Sequence, residues 1–414
     1  MGTLNIAIAG CGPAGLTAAL LLHRDGHRVR IFERFDAPKA VGSGLMIQPT
    51  GLAVLDALGI GGEIRRTGAR VDRLFGQTGT RGRTVLDVRY AALGRRAGYG
   101  IGIHRASLFG ALFDAVRATG ITVETGRAIC GTTLQHDRRE LNFEDGEKSP
   151  PFDVVVDALG TRTPLAPPTG RALAYGALWT SLDWPEGAGF DDAALAQRYR
   201  RASTMAGVLP IGTPPGRRTR QAAFFWSLRA DRVADWQMAG LDAWKADVRS
   251  LWPDCAPLLD QIHDAEQLTF AHYAHRTLPC PTAPALIHIG DAWHSASPQL
   301  GQGANMALLD AWALAAGLRA THDVEAGLAR AIAMRRRHVK LYQWLSALFT
   351  PVYQSDSRVL PVIRDGLVGP LSGLWPATWI QAAMVSGLIG DPLTSLGLAS
   401  SSTAEPAHDM LSVT

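Results

Sequence analysis

The first 33 residues alternate between short apolar runs and glycine turns, which is the pattern of a strand–helix–strand unit. Residues 4–9 are a short apolar run closed by Gly10, as in a buried parallel strand. A helix is predicted from Pro13 to about Asp25, because proline suits the first helical turn and Gly26 suits the exit. Residues 29–33 form the next strand. The pattern therefore predicts a Rossmann-like unit.

The rest of the chain predicts further helices and strands from the same periodicities. Predicted helices cover about 50–58, 107–119, 242–259 and 303–320, and more continue to about 398, broken at Pro351, Pro361, Pro370, Pro376 and Pro392. Predicted strands cover 71–88 as a hairpin that turns at Gly79 and Gly82, then 121–124, 154–159, 172–181, 205–228 and 285–289. Residues 41–46 are predicted to be a glycine-rich loop.

This order of elements predicts an α/β fold with an α+β insert. A discontinuous Rossmann-like domain is built from 1–70, 100–170 and 270–335. Residues 71–99 and 171–269 together are predicted to form an inserted antiparallel-sheet domain that binds the substrate. Residues 336–399 form a helical C-terminal cap, and 400–414 form a loose tail.

Composition narrows the class of protein. A length of 414 residues predicts two or three domains, and 47% apolar with 19% charged residues is typical of a globular protein. The net charge of +4 and the short arginine runs give no basic patch dense enough for nucleic acid. The four cysteines lack CxxC or metal spacing, which favours a reduced, cytoplasmic protein without a metal.

The sequence also bears on contact with membranes. No apolar run reaches the ~18 residues of a transmembrane helix, and the first basic residues follow the N-terminal apolar stretch, unlike a signal peptide. The apolar segment 360–398 is interrupted by glycine and proline. It is predicted to be a buried cap, with a lipophilic-substrate entrance or a peripheral membrane contact as alternatives. The oligomeric state stays open.

The first chemical motif is Gly10-Cys11-Gly12-Pro13-Ala14-Gly15. Gly10 permits a tight turn, Gly12 lets the backbone approach a pyrophosphate, and Gly15 allows close packing of the helix. The helix start offers unpaired N–H groups to phosphate. Glu33 ends the second strand, where its carboxylate can accept from both ribose hydroxyls and disfavours a 2′-phosphate. The alternative is a glycine turn without a ligand. Further predicted cofactor contacts are Arg34, Gly44, Arg105 and Ile129.

The second motif runs from Gly290-Asp291 to Asn305. Asp291 follows a buried strand, at the end where ligands bind in open α/β sheets. Gly301 and Gly303 expose N–H groups at a helix start, which can stabilise the negative charge of a reduced flavin. The alternative is a capped helix with Asp291 as a turn residue. The predicted cofactor contacts here are Asp291, Pro298, Gly301, Gln302, Gly303, Ala304 and Asn305.

These two motifs, with Arg105 just before a helix between them, resemble the class A flavin monooxygenases, the para-hydroxybenzoate hydroxylase-like family. The resemblance covers roughly residues 4–340. It implies that FAD binds in an extended form and that reduced flavin and O2 give a C4a-hydroperoxide. This species inserts one oxygen atom into a hydrophobic small molecule, usually aromatic, by hydroxylation or epoxidation. It also implies NADPH or NADH as electron donor and no side-chain nucleophile.

Two departures from the family pattern leave alternatives open. The family usually shows Gly-Ala-Asp-Gly after the middle strand, whereas this chain has Asp157-Ala158-Leu159-Gly160. Leu159 cannot accept a hydrogen bond, and Asp157 is expected to face away from the loop. An external reductant, or a dehydrogenase or reductase of the same fold without oxygen insertion, is therefore an alternative. Trp293 replaces a small residue and is expected to crowd the flavin or shape the pocket.

The candidate substrate pocket consists of aromatic and turn residues. Trp226 is selected because its strand should face the flavin, and Tyr175 and Trp179 because residues four apart on a strand share a face. Core packing is the alternative for the tryptophans, and a structural role at a helix start is the alternative for His294. The full set of pocket candidates is Trp226, Tyr175, Trp179, Trp293, His294 and Pro298.

Overall fold

The computed structural model describes residues 2–37, 43–79, 82–96, 98–368 and 372–398. A six-stranded sheet forms the first layer, and its strand order is β19-β20-β11-β1-β2-β8. Its strands are β1 (Asn5–Ala9), β2 (Arg28–Phe32), β8 (Thr122–Glu124), β11 (Val154–Asp157), β19 (Thr282–Ala283) and β20 (Leu286–His288). All neighbours are parallel except β19 and β20. This is the predicted Rossmann-like arrangement.

A second, seven-stranded sheet has the order β17-β13-β16-β15-β14-β5-β6. Its strands are β5 (Arg73–Thr78), β6 (Thr84–Arg89), β13 (Tyr175–Asp183), β14 (Ala194–Arg200), β15 (Thr204–Pro210), β16 (Gln221–Arg229) and β17 (Thr269–Ala271). The predicted hairpin is confirmed as β5 and β6. The sheet is antiparallel apart from β14 and β5, which run parallel because they come from the two separate stretches of chain.

Three small sheets connect these layers. One contains β3 (Gly44–Ile47), β4 (Ala69–Val71) and β7 (Gly100–His104), and a hairpin pairs β9 (Ile129–Gln135) with β10 (Arg138–Phe143). The last contains β12 (Arg171–Ala172), β18 (Ala274–Thr277) and β21 (His294–Ser295). The β9–β10 hairpin was not predicted. It covers one face of the Rossmann-like sheet, where Phe143 and Leu141 pack with Ala7 and Ala9.

The helices lie on the other face of the Rossmann-like sheet, behind the seven-stranded sheet and at the C-terminus. They are α1 (Pro13–Arg24), α2 (Pro49–Ala57), α3 (Gly61–Thr67), α4 (Arg105–Thr119), α5 (Val233–Ala239), α6 (Leu241–Leu251), α7 (Ala256–Leu259), α8 (Gly303–Arg319), α9 (Val324–Tyr353), α10 (Leu360–Ile363), α11 (Ala377–Val385) and α12 (Pro392–Ser395). Ile6 and Ile8 of β1 join α1, α4 and α8 in the largest hydrophobic core. No helix among the described residues has the length and apolarity that a bilayer crossing requires.

Two predictions about elements are wrong. Residues 44–47 form the strand β3 instead of a loop; the rest of the predicted loop, 41–42, lies outside the described residues, as does the tail 400–414. Pro351 lies inside α9 and does not end it. The proline ring removes one backbone donor, and the carbonyl that loses it belongs to Ala347, an exposed residue, so water can take its place.

Candidate functional site

The glycine turn has the stereochemistry that its sequence predicts. Gly10 has a φ of +105°, and a Cβ there would lie 2.7 Å from the Ala158 carbonyl oxygen. A Cβ on Gly15 would lie 2.1 Å from the Gly10 oxygen, so the turn can pack against α1 only with glycine. A Cβ on Gly12 meets nothing within 4 Å. The start of α1 has no side-chain cap, which leaves its N–H groups free to meet an anion.

Glu33 is fixed beside this turn. One carboxylate oxygen accepts from the Cys11 N–H at 2.9 Å, and the other accepts from the N–H groups of Arg34 at 2.9 Å and Phe35 at 3.3 Å. The exposed Arg34 side chain lies over the Phe35 ring, 4.7 Å from its centroid. The glutamate carboxylate is thus held at the end of β2 with lone pairs left to accept from a ligand.

The Gly290-Asp291 turn brings the two motifs together. Gly290 has a φ of +57°, and a Cβ there would lie 3.3 Å from the Cβ of Ala14 and 3.2 Å from that of Ala307. The turn therefore sits between the first turns of α1 and α8. The Asp291 side chain is exposed at this turn, but the surrounding protein removes part of its hydration. This burial raises the pKa of the carboxyl, and the charges of His294 and Arg105 act in the opposite direction.

The N-terminus of α8, like that of α1, has no side-chain cap. Gly301 takes the left-handed conformation at φ +62°, and a Cβ on Gly303 meets nothing within 4 Å. Asn305 is fully buried: its Oδ1 accepts from the Gln48 N–H at 2.8 Å, and its Nδ2 donates to the Met46 and Gly301 oxygens. Asn305 thus joins β3 to the N-terminus of α8 through these hydrogen bonds.

The predicted cofactor contacts of Asn305 and Gln302, at the N-terminus of α8, need correction. The Asn305 side chain has no polar group left for a cofactor, because both of its ends are bonded to backbone. The buried Gln302 donates through its Nε2 to the Val385 oxygen of the C-terminal cap. The Asn305 side chain therefore organises the start of α8, and the Gln302 side chain ties it to the C-terminal cap.

A buried ionic network supports the Asp291 turn from behind. Asp310 accepts from the Gly290 N–H at 3.0 Å and from Arg335 Nε at 2.8 Å, and it lies 2.6 Å from His294 Nε2. Burial alone would raise the pKa of Asp310, but His294 and Arg335 outweigh it and lower that pKa to about 2. Arg335 also donates to His338, whose other ring nitrogen donates to the Gly387 oxygen. His294 belongs to this network and not to the pocket, which corrects its prediction.

The inner face of the seven-stranded sheet lies toward β3. A Cβ on Gly44 would lie 2.7 Å from the Cβ of Ala223, so β3 packs directly on the sheet. Trp179 and Phe225 are paired on β13 and β16, and their ring centroids are 4.7 Å apart on this face. Tyr175 shares the face with Trp179, as predicted, but its hydroxyl donates to Asp356 of the loop after α9.

Three predicted contact residues have their side chains in hydrophobic cores. Trp226 points to the outer face of the sheet, where its ring lies edge-to-face with Trp244 of α6 at 6.4 Å. Trp293 is 3% exposed and packs in the core around α1 and α8. Ile129 packs with Phe32 and other aromatic residues under the β9–β10 hairpin. The prediction for Trp226 was wrong because its side chain lies on the opposite face of the strand from the one assumed.

Tyr273, which the sequence did not single out, occupies the place expected of a pocket residue. Its oxygen accepts from Trp179 Nε1 at 2.8 Å, so its own O–H can donate elsewhere. Burial raises the pKa of Tyr273 to about 12, while Trp179 and the positive charge of Arg105 act to lower it. Arg105 also acts on Asp291, so its charge lies near both the tyrosine and the aspartate. The available signal was its position two residues after Ala271, in the short connection between β17 and β18.

Asp157 does not face away from the loop that follows β11, contrary to the prediction. One carboxylate oxygen accepts from the Leu159 N–H at 3.0 Å, and the other accepts from Thr163 Oγ1 at 2.7 Å and lies 2.6 Å from His288 Nδ1. The aspartate is fully buried. Asp157 therefore fixes the loop 158–163 from inside the fold. The Leu159 side chain in this loop is partly buried.

The residues present fit a flavin dinucleotide. Two uncapped helix starts, a fixed glutamate and an exposed aspartate converge along one cleft, and Gly12 and Gly303 leave room where a side chain would intrude. Among the described residues no cluster of three histidine, cysteine or acidic side chains is arranged to hold a metal.

Comparison with known proteins identifies an FAD binding domain and several relatives of this chain. Residues 3–154 match the model of an FAD binding domain. 3-Amino-4-hydroxybenzoate 2-monooxygenase of Streptomyces cremeus is 28% identical over 74% of this chain and 76% of that protein. 3-Hydroxybenzoate 6-hydroxylase 1 of Aquipseudomonas alcaligenes is 36% identical over 34% of this chain and 37% of that protein.

One solved structure has a similar fold over nearly the whole chain. Tetrameric 2-methyl-3-hydroxypyridine-5-carboxylic acid oxygenase superposes with a TM-score of 0.76 at 20% identity, covering 95% of this chain and 98% of that one. The fold and cleft thus define an FAD-binding oxidoreductase. The FAD binding domain and these relatives support a protein of the class A FAD-dependent monooxygenase type.

Proposed function

We propose that this protein inserts one atom of O2 into an aromatic small molecule, using bound FAD. The observation that supports this most directly is that the Asp291 turn lies between the starts of α1 and α8, with the charge of Arg105 acting on both Asp291 and Tyr273. The relatives named above act, by their names, on hydroxylated benzoates. These relatives support oxygenation of an electron-rich ring.

The proposed cofactor contacts follow the predicted motifs. The start of α1 with Gly12 receives the pyrophosphate, and Glu33 accepts from the ribose hydroxyls. Asp291 accepts from the ribitol hydroxyls, and Arg105 balances its charge. The backbone at Gly301 and Gly303 faces the flavin ring. Bound FAD supplies the chemistry with O2, while the chain supplies orientation, charge and exclusion of water.

The substrate ring is proposed to lie between the flavin and the Trp179–Phe225 wall. The side chains on this face are largely apolar: Ala223, Phe225, Leu195, Leu209 and Met205. On the inner face of β13, β16 and β17, one described residue is positively charged. It is Arg229, which forms ion pairs with Asp231 and Asp356. An aromatic ring that directs one hydroxyl or keto oxygen toward Tyr273, with an uncharged apolar remainder, fits this wall.

Replacing Tyr273 with phenylalanine is expected to lower kcat/KM by about 10–100-fold without loss of FAD. The hydroxyl of Tyr273 is protonated at neutral pH, since its pKa is raised, so it donates to the substrate oxygen. One such bond contributes about 1.5–3 kcal/mol when the acceptor gains negative charge. Steady-state kinetics and the flavin absorbance of the purified variant measure both quantities.

The matched control is Tyr175→Phe, because the Tyr175 hydroxyl is bonded to Asp356 at the end of the sheet. It should leave kcat/KM within a few-fold of the parent. If Tyr273→Phe behaves like this control, the tyrosine does not contact the substrate.

NADH or NADPH is proposed as the electron donor, with an external reductant as the alternative. The loop 158–163, which in relatives carries an acidic residue, here presents Leu159 and is fixed by the buried Asp157. The predicted domain limits and the cytoplasmic location likewise stay proposals.

The decisive experiment for oxygen insertion uses ¹⁸O2. The holoenzyme is given a reductant and a panel of phenols and hydroxylated heterocycles, and products are read by mass spectrometry. A product with one ¹⁸O atom is expected. Turnover to an unlabelled product would instead identify a dehydrogenase or reductase of the same fold.

A further inference from the structure

The exposed large apolar side chains of this protein are concentrated near its C-terminus. Of eleven such side chains among the described residues, nine belong to residues 344–380. Five of them lie on α9 and on the segment that includes α10, and we refer to these as the apolar surface: Trp344, Leu348, Val359, Val362 and Ile363. α10 folds back on the end of α9, where Arg364 donates to the Val352 oxygen. A concentration of this kind marks a binding surface.

The exposed face of α9 changes character along its length. From Ala333 onward its exposed positions recur every three or four residues and form one stripe: Ala333, Arg336, Arg337, Lys340, Trp344, Ala347, Leu348 and Pro351. The first half of the stripe is basic and the second half is apolar. The opposite face holds buried residues such as Tyr342 and Leu345. The helix therefore presents cations next to a tryptophan and a leucine, all on one side.

The charges on the exposed stripe of α9 have one sign. No aspartate or glutamate occurs between Glu325 and Asp356 in the sequence. Arg336, Arg337 and Lys340 are exposed and form no ion pair with any described residue. A basic stripe that continues into Trp, Leu, Val and Ile is the composition by which proteins bind the surface of an anionic bilayer.

We propose that this protein docks on anionic membrane surfaces through the apolar surface and the basic stripe of α9, without crossing the bilayer. A second copy of the chain fits this face less well. A two-fold interface would bury the three cations of each copy against the cations or the apolar residues of the other, with no acidic residue on the stripe to balance them. A bilayer supplies both the anionic head groups and the apolar layer beneath them.

The docking face is connected to the candidate substrate pocket. α9 ends at Tyr353, whose ring is tilted against that of Tyr199 and packs in one cluster with Trp179 and Phe225. The next residue, Gln354, accepts from Gln299, beside Pro298, and donates to the Gly176 oxygen of β13. Docking would place this end of the pocket near the lipid phase, where apolar aromatic molecules concentrate. The proposal concerns location and does not depend on the reaction.

Cosedimentation of the FAD-loaded full chain with lipid vesicles tests the proposal. Vesicles of phosphatidylcholine mixed with phosphatidylglycerol should bind the protein, those of phosphatidylcholine alone should bind it more weakly, and added salt should reduce the difference. Trp344→Ser with Leu348→Ser should abolish binding. Neutralising Arg336, Arg337 and Lys340 to glutamine should weaken binding to the anionic vesicles by roughly 100-fold, at about fivefold per charge.

The matched control replaces two exposed apolar residues elsewhere, Met238→Ser and Leu134→Ser, and should bind like the parent. Flavin content and melting temperature report that every variant is folded. Absence of binding to either vesicle would overturn the proposal, as would equal loss in the control. A parent dimer that Trp344→Ser with Leu348→Ser converts to a monomer, without vesicle binding, would assign the face to a second copy instead.

Discussion

Asp291→Ala is expected to yield a colourless protein that no longer retains FAD through purification. The carboxylate is the exposed acceptor at the junction of the α1 and α8 starts, and the positive charge of Arg105 acts on it. Two charge-assisted hydrogen bonds to ribitol hydroxyls, at roughly 1.5 kcal/mol or more each, correspond to at least about 100-fold in affinity. Flavin absorbance of the purified protein and titration with FAD measure the loss.

The control for this variant is Asp260→Ala, which removes an exposed aspartate whose partner is Arg249. It should keep the yellow colour. Asp291→Asn preserves the size of the side chain but not its charge, and should give an intermediate affinity. Tightly bound FAD in Asp291→Ala at the level of the parent would remove the basis of the proposed cofactor site.

The features that the sequence predicted well are those set by local stereochemistry. Gly10 and Gly15 are required by close backbone approaches within a single strand–turn–helix unit, so their spacing is enough to identify the turn. Gly290 and Gly301 adopt positive φ angles that glycine alone tolerates easily. The strands and helices next to these turns follow because each turn fixes where an element begins.

The side-chain directions in the seven-stranded sheet could not be predicted in the same way. The strand Gln221–Arg229 has buried residues on both faces, so its apolar pattern does not alternate. Trp226 and Phe225 are equally apolar, and the register with β13 and the packing of α6 decide which one faces the cleft. A shift of one residue reverses every assignment on such a strand.

The buried polar networks were also beyond prediction, because their members are far apart in sequence. Asp157 meets His288 across 131 residues, and Asp310 meets Arg335 across 25. Nothing in the local sequence distinguishes these residues from exposed ones. Tyr273 was missed for a related reason: its pairing with Trp179 spans 94 residues.

Asp310→Ala is expected to lower the free energy of unfolding by about 3–5 kcal/mol and to weaken FAD binding as well. The substitution leaves Arg335, which is 1% exposed, as a buried charge without its carboxylate, and it frees the Gly290 N–H. The pKa of Asp310 lies near 2, below its ordinary value of 3.8. The stabilisation is therefore complete above the ordinary value and is lost as the pH falls toward 2, so the deficit should be constant from about pH 5 to pH 8.

The double variant Asp310→Leu with Arg335→Met should recover much of that loss, because an apolar pair leaves no buried charge unpaired. Asp25→Ala, which breaks the more exposed pair with Arg319, is the matched control and should cost about 1 kcal/mol or less. Chemical denaturation of the FAD-loaded variants measures each difference. If Asp310→Ala costs no more than Asp25→Ala, the network does not hold the C-terminal cap to the Asp291 turn. A large cost with unchanged FAD affinity would instead confine its role to stability, since the flavin would not then depend on the position of Gly290.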